Sequence, residues 1–154
     1  MRLSIALCTY NGSAFVGQQF ASLAAQTRLP DELVVCDDRS TDDTAGLVER
    51  FARTAPFPVR WSVNATNLGS TRNFERAIRL CTGDVVCLCD QDDVWKPEKL
   101  RRFEQVMGDA PGVGLVASDL DVVGLDLTPL GYRMWETLPF PPALRARVEG
   151  GDGC

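Results

Sequence analysis

Histidine is absent from all 154 residues. No serine or cysteine in this chain can therefore be activated by an imidazole partner. The six cysteines include no CxxC pair, so the usual zinc patterns fail as well. No Gly-x-Gly-x-x-Gly follows the first apolar run and no Gly-x4-Gly-Lys-Ser/Thr occurs, which argues against a dinucleotide-binding unit and excludes a phosphate-loop NTPase. Long apolar segments are missing too. Met1-Arg2 leads straight into the short run Leu3 to Leu7, no signal peptide is visible, and nothing later approaches the length of a bilayer span. The default expectation is a soluble, cytoplasmic protein. Positive charge is also in short supply: a formal net charge of -5 argues against a nucleic-acid partner and suits a protein that recruits divalent cations.

What is present is the composition of an ordinary globular domain, 45% apolar and 24% charged, in a chain long enough to bury a core. Apolar runs rich in β-branched residues recur at Leu3–Cys8, Glu32–Asp37, Val59–Asn64, Asp84–Cys89 and Gly114–Asp119. Helical periodicity fills the gaps. Val16, Phe20, Leu23 and Ala24 form one stripe between Ala14 and Gln26, and Phe74, Ala77, Ile78 and Cys81 form another within Ser70–Cys81. Ser40 with Asp43 resembles a helix-starting cap for the segment containing Val48, Phe51 and Ala52. Pro97 opens a helix striped by Leu100, Phe103 and Met107 and closed by Gly108. Strands alternating with helices predict an α/β fold with a mainly parallel sheet covered on both faces. The cysteines then read as buried, reduced, apolar-like side chains.

In such sheets ligands bind beyond the carboxyl ends of the strands, and that is where the polar clusters fall. Thr9-Tyr10-Asn11-Gly12, Asp37-Asp38-Arg39-Ser40 and Asp90-Gln91-Asp92-Asp93 each follow a predicted strand. Carboxylates forced together repel unless a cation neutralises them or one takes up a proton. If extended geometry persists, Asp90 and Asp92 share a side. Oxygen-only ligands favour Mg²⁺ or Mn²⁺, and such ions bind through one or two carboxylates plus substrate phosphates, which predicts a diphosphate-bearing ligand. A calcium-binding EF-hand is excluded, because with Asp90 in the first position the required Gly and Glu fall on Trp95 and Arg101. Asp37 and Asp38 suit the edge of a base or ribose hydroxyls, or alternatively capping of the following helix. Arg72, at the start of a helix, is placed for phosphate oxygens or stands as a surface arginine.

Taken together, Cys8-Thr-Tyr-Asn-Gly12, Gln26-Thr27, Asp37-Asp-Arg-Ser-Thr-Asp-Asp-Thr44, Asn67-Leu-Gly69, Gly83-Asp84 and Asp90-Gln-Asp-Asp-Val-Trp95 resemble the family 2 glycosyltransferases of the GT-A fold, in order and spacing, through about residue 120. The Asp-Gln-Asp-Asp-Val-Trp form is similar to bacterial rhamnosyltransferase-type polysaccharide enzymes. The resemblance implies inverting, metal-assisted transfer of a hexosyl-type sugar from a UDP- or dTDP-linked donor to an acceptor hydroxyl. It implies donor binding by Thr9, Asn11, Asp37, Asp38, Arg72, Asp90 and Asp92, with Asp92 and Asp93 on the metal. A glycan or lipid-linked acceptor follows from it, and a lipid-linked one would bring the protein to the inner face of the membrane as a peripheral partner.

The family's proton-accepting carboxylate usually lies well beyond the metal motif. Here Asp119 and Asp121 are the weak candidates for that base. Residues 1–125 are expected to form the nucleotide-sugar-binding half. Residues 126–154, with Pro139-Phe-Pro-Pro142 and a glycine-rich end, read as an interrupted connection to a missing acceptor-binding half. The alternative is a fragment that binds nucleotide sugar without transferring it. A haloacid-dehalogenase-type phosphotransferase would place its DxD on the first strand, and a sugar-nucleotide pyrophosphorylase would carry a Gly-rich, Arg-containing signature after Leu3–Cys8. Neither pattern is met.

Overall fold

A computed structural model describes residues 1–110 and 112–138. It divides into two compact units, Met1–Val106 and Met107–Cys154. The first alternates strand and helix: β1 (Leu3–Thr9), α1 (Val16–Ala24), β2 (Glu32–Asp37), α2 (Thr44–Ala52), β3 (Val59–Val63), α3 (Ser70–Leu80) and β4 (Val85–Cys89), followed by α4 (Lys99–Asp109), which begins in this unit. The four strands form one parallel sheet in the order β3-β2-β1-β4.

Alternation along the strands divides the core into two layers. Leu3, Ile5 and Leu7 of β1 lie beside Leu33 and Val35 of β2 and Cys87 and Cys89 of β4, and pack against Val16, Phe20 and Leu23 of α1, Val48 of α2, and Trp95 and Leu100. Phe20 and Phe51 stack with ring centroids 4.3 Å apart, joining α1 to α2. The opposite face is built from small residues, Ala6, Cys8, Val34 and Cys36, and receives Phe74 and Ala77 of α3. Small side chains on both partners let this helix lie close to the sheet. Helices thus cover both faces, as the periodicity predicts, and the two central strands are buried at every residue. The cysteines behave as small apolar groups. Burial raises the Cys8 and Cys89 thiols well above their usual range and lifts those of Cys81 and Cys87 to about 11, so they stay protonated and unreactive.

The rear of the sheet, opposite the strand ends that carry the polar clusters, is tied by a buried carboxylate. Glu32 accepts hydrogen bonds from Ser4 Oγ at 2.6 Å and from Thr82 N and Oγ1 at 2.6 and 2.9 Å, and it pairs with Arg60 at 2.7 Å. Burial alone would raise its pKa, but these four donors win and hold it at about 2. A depressed carboxylate stabilises the fold above its unfolded pKa and loses that contribution as the pH falls. Glu32→Gln is therefore expected to lower stability at neutral pH by about 3 kcal/mol. It should also flatten the acid limb of a pH-dependent melting curve between pH 4.5 and about 2.

Several boundaries depart from the sequence-based expectations for physical reasons. Gly114–Asp119 does not form a strand. The second unit instead pairs β5 (Asp121–Val123) with β6 (Pro129–Arg133) in an antiparallel hairpin, followed by the short α5 (Met134–Thr137). The expected run begins on a glycine, has no ladder partner among the described residues, and leaves Leu115 79% exposed. An apolar run without a neighbour to pair with does not become a strand. Ser40 does not cap α2, whose first turn follows Asp43 without any side-chain cap. Instead, Asp42 accepts hydrogen bonds from Thr44 N and Thr44 Oγ1. Pro97 lies in a turn ahead of α4, which continues past Gly108 to Asp109. Pro139–Pro142 and Glu149–Cys154 lie outside the described residues.

Candidate functional site

Parallel strands send their carboxyl ends to one edge of the sheet, so β1, β2 and β4 deliver their loops side by side. The β1 and β2 ends are bound together directly. Thr9 Oγ1 donates to Asp37 Oδ2 at 2.7 Å, and Asp38 N donates to Thr9 O at 2.8 Å. Asp37 also accepts from Ser40 N at 2.8 Å and Ser40 Oγ at 2.6 Å. Ser40 Oγ in turn receives Asn11 N at 2.9 Å, while Asn11 Oδ1 accepts from Thr41 N at 2.8 Å. Asn11 and Arg39 both hold left-handed backbone conformations, with φ of 47° and 65°. Asparagine adopts this geometry more readily than most residues, and the reciprocal bonds offset the strain. Thr9 and Asp37 are thus buried frame residues, whereas Asn11 reaches the surface.

Asp38 faces the opposite way. Its Oδ1 accepts from Leu68 N and from Asn64 Nδ2, both at 2.7 Å, and its Oδ2 accepts from Gly69 N at 2.9 Å. Asn64 Nδ2 also reaches Asn73 Oδ1 at 2.9 Å, and Asn73 Nδ2 closes the chain on Cys36 O at 2.8 Å. The capping alternative raised for Asp38 thus takes a different form. It anchors the Asn67-Leu68-Gly69 turn that launches α3, not α2. Gly69 sits at φ 79° immediately before α3, which explains the glycine. Burial would raise the Asp38 pKa, but the three donors outweigh it and hold the carboxyl below its ordinary range. Arg72 lies two residues into α3 and lines a shallow groove of about 410 Å³ with Leu68, Glu75, Arg76, Arg79 and Leu80.

The acidic loop leaves β4 and turns at once at Gln91–Asp92. Extended alternation therefore does not continue through Asp90 and Asp92, and it is the turn that gathers the carboxylates. Burial and the neighbouring charge of Asp92 raise the Asp90 pKa. Burial, then Asp90, with Lys99 opposing, raises that of Asp93. Burial is the larger cause at both carboxylates, and the neighbouring negative charges add to it. No group of three or more His, Cys, Asp or Glu side chains that could hold a metal ion occurs among the described residues.

The loop is held from behind by Ser22, which the sequence patterns did not flag, and by the Gln26-Thr27 pair quoted among the motifs. Ser22 Oγ receives Trp95 N at 3.1 Å; Gln26 Oε1 receives Leu100 N at 3.1 Å, and Gln26 Nε2 donates to Lys96 O at 2.9 Å. Thr27 N donates to Pro97 O at 2.9 Å. The Gln26-Thr27 pair thus fastens the C-terminal end of α1 to the stretch between the acidic loop and α4. Lys99 Nζ lies 4.3 Å from the Trp95 ring centroid and 5.7 Å from that of Phe103. Burial lowers its pKa while Asp93 opposes the shift. A polar residue inside an apolar helical stripe, such as Gln19 or Gln26, was the available signal. Lys99 had none, because a lysine at a helix start reads as solvated. Asp119 accepts from Leu120 N and Trp135 N and faces Arg133, which also pairs with Asp121 at 3.4 Å. The second unit therefore supplies its own partners to both carboxylates.

A parallel α/β sheet with an acidic turn after its edge strand, beside two polar strand ends, is the arrangement of a GT-A-type fold. The chain belongs to glycosyl transferase family 2, whose family model matches residues 4–150. It is 32% identical to an uncharacterised glycosyltransferase of Nostoc sp., a match covering 80% of this chain and 38% of that protein. It is 30% identical to the dTDP-rhamnosyl transferase RfbG of Shigella flexneri over 62% of this chain and 34% of RfbG. Among solved structures, S. aureus TarS 1-349 in complex with UDP-GlcNAc superposes with a TM-score of 0.65 at 26% identity, covering 80% of this chain and 40% of that one. The mannosyltransferase PcManGT of Pyrobaculum calidifontis, in complex with GDP-Man and Mn²⁺, gives 0.68 at 27% identity, covering 73% and 34%. The chain thus spans well under half the length of these relatives. No helix among the described residues is long and apolar enough to cross a membrane.

Proposed function

We propose that this chain is the donor-binding part of a metal-dependent, inverting glycosyltransferase that moves a sugar from a UDP- or dTDP-linked donor to an acceptor hydroxyl in cell-surface polysaccharide synthesis. The observation that carries the reading is the acidic turn Asp90–Asp93, whose carboxylates repel one another beside the ends of β1 and β2. The donor set is oxygen-only, which fits Mg²⁺ or Mn²⁺. Asp92 and Asp93 would hold the ion, with Asp90 toward the ribose, and the ion would neutralise charge on the departing diphosphate.

The remaining roles follow from side-chain geometry. Thr9 and Asp37 keep the β1 and β2 ends in register, and Asn11 presents its exposed face to the nucleotide. Three of about four acceptor sites on the Asp38 carboxylate are filled, which leaves one for the imide N–H of a uracil or thymine ring. Arg72, on the outer face of α3, would meet phosphate oxygens as a charged donor. The residues gathered at the strand ends serve the donor. Asp119 and Asp121 are already engaged by Arg133, at 3.9 and 3.4 Å.

Release of nucleoside diphosphate from UDP- and dTDP-sugars, with and without glycan and lipid-linked acceptors, tests the reading, and product anomeric configuration tests inversion. The 154-residue chain is expected to bind donor nucleotide without acceptor-dependent release, since general-base assistance and acceptor orientation are both large contributions to transfer. Acceptor-dependent release abolished by Asp92→Asn would contradict this and make Asp119 and Asp121 the first bases to replace.

A further inference from the structure

We propose that Gln91 is a positioning residue, whose side-chain amide clamps the backbone of Tyr10 and thereby sets the acidic turn against the end of β1. The proposal rests on the donor-binding reading above. Tyr10 N donates to Gln91 Oε1 at 2.9 Å, and Gln91 Nε2 donates back to Tyr10 O at 3.1 Å. Both backbone groups of Tyr10 lie just beyond the last β1 residue, where ladder pairing stops. The amide therefore ties the β1 end to the loop after β4 beyond their last paired residues, Leu7 and Cys89, across 81 residues of sequence. The Tyr10 side chain is 50% exposed, so the clamp uses the backbone alone.

Gly12 gives an independent indication. Its φ is not in the left-handed region, so the backbone itself does not demand glycine there. A Cβ built at Gly12 would stand 2.1 Å from Gln91 Oε1, and the three heavy atoms nearest to it all belong to Gln91. Glycine at this position leaves the space that the clamp occupies. The chemistry of the amide is also specific. It donates and accepts at once, and it adds no charge to a turn whose carboxylates already repel. Glutamate would lose the donor and add a charge; asparagine would be one methylene short. A turn free to drift from the β1 end would still hold carboxylates, but not at the separation that one metal-linked diphosphate requires.

The test is calorimetry of UDP and dTDP binding in Mn²⁺ and in chelator for the wild-type chain, Gln91→Ala, Gly12→Ala and the double variant, with thermal melts of each. Each single variant is expected to weaken Mn²⁺-supported binding about tenfold. The double variant should be no weaker than either single, because the same clamp is lost once. Higher Mn²⁺ should recover binding in Gln91→Ala, which a merely misfolded variant would not show. If the wild type binds and Gln91→Ala binds equally well, or if the single losses multiply in the double variant, the positioning role is overturned and the functional reading stands. If the wild type binds no nucleotide, the functional reading falls and the role falls with it. Gln91→Ala alone decides the matter should Gly12→Ala fail to fold.

Discussion

Asp38→Ala is expected to lower stability by roughly 3 kcal/mol, well beyond the loss of an ordinary helix cap. The carboxylate is buried and receives two backbone N–H groups and one side-chain amide. Alanine leaves Leu68 N, Gly69 N and Asn64 Nδ2 short of an acceptor, and a buried orphan such as Asn64 Nδ2 costs about 1–3 kcal/mol before relaxation. The damage should reach the nucleotide site as well, because the Asn67–Gly69 turn sets the start of α3 and therefore the place of Arg72. Thermal and urea melts measure the first effect. The pH dependence has a definite sign. With its folded pKa below the usual value near 3.8, Asp38 stabilises the wild type above that pH and loses its contribution as the pH falls through the folded pKa. The gap between wild type and variant should therefore be widest near neutrality and close in acid. A loss of about 1 kcal/mol or less, with binding intact, would show that the network around Asp38 is dispensable.

Asp92→Asn and Asp93→Asn should each weaken metal-supported nucleoside diphosphate binding on the order of a hundredfold, since changes merely adjacent to metal ligands already cost 10- to 100-fold. An asparagine keeps an oxygen donor but gives up the charge that draws the cation into a turn facing phosphates. Stability should move the other way. Asp93 is half-buried among like charges, so its neutralisation without metal removes a repulsion, and the apo variant should melt no lower than the wild type. Lower affinity with undiminished stability separates a ligand role from a structural one.

The sequence exposed most of this fold because its two central parallel strands are buried on both sides. Leu3–Thr9 and Glu32–Asp37 are apolar for most of their length and bounded by turns, and Phe74, Ala77 and Cys81 of the predicted stripe meet the small residues of the sheet while Ile78 is exposed. It misled at Gly114–Asp119, where apolar character was real but a pairing strand was not supplied. The strand-end clusters were legible as a site because topology brings their residues to one edge. The inward orientation of Asp37 and Asp38 was not. Whether a carboxylate points to solvent or to a neighbouring loop depends on donors such as Leu68 N and Ser40 N, which are distant in sequence or backbone in nature. Gln91 was quoted in a motif but its work was hidden for the same reason, since its partner is the backbone of Tyr10.

The most direct measurement is a calorimetric titration of UDP and dTDP into the wild-type chain in Mn²⁺, in Mg²⁺ and in chelator. Saturable binding with either ion that disappears in chelator is the predicted result. Binding of equal strength in chelator, or none in any condition, would contradict the assignment of the acidic turn as the place where metal and diphosphate meet.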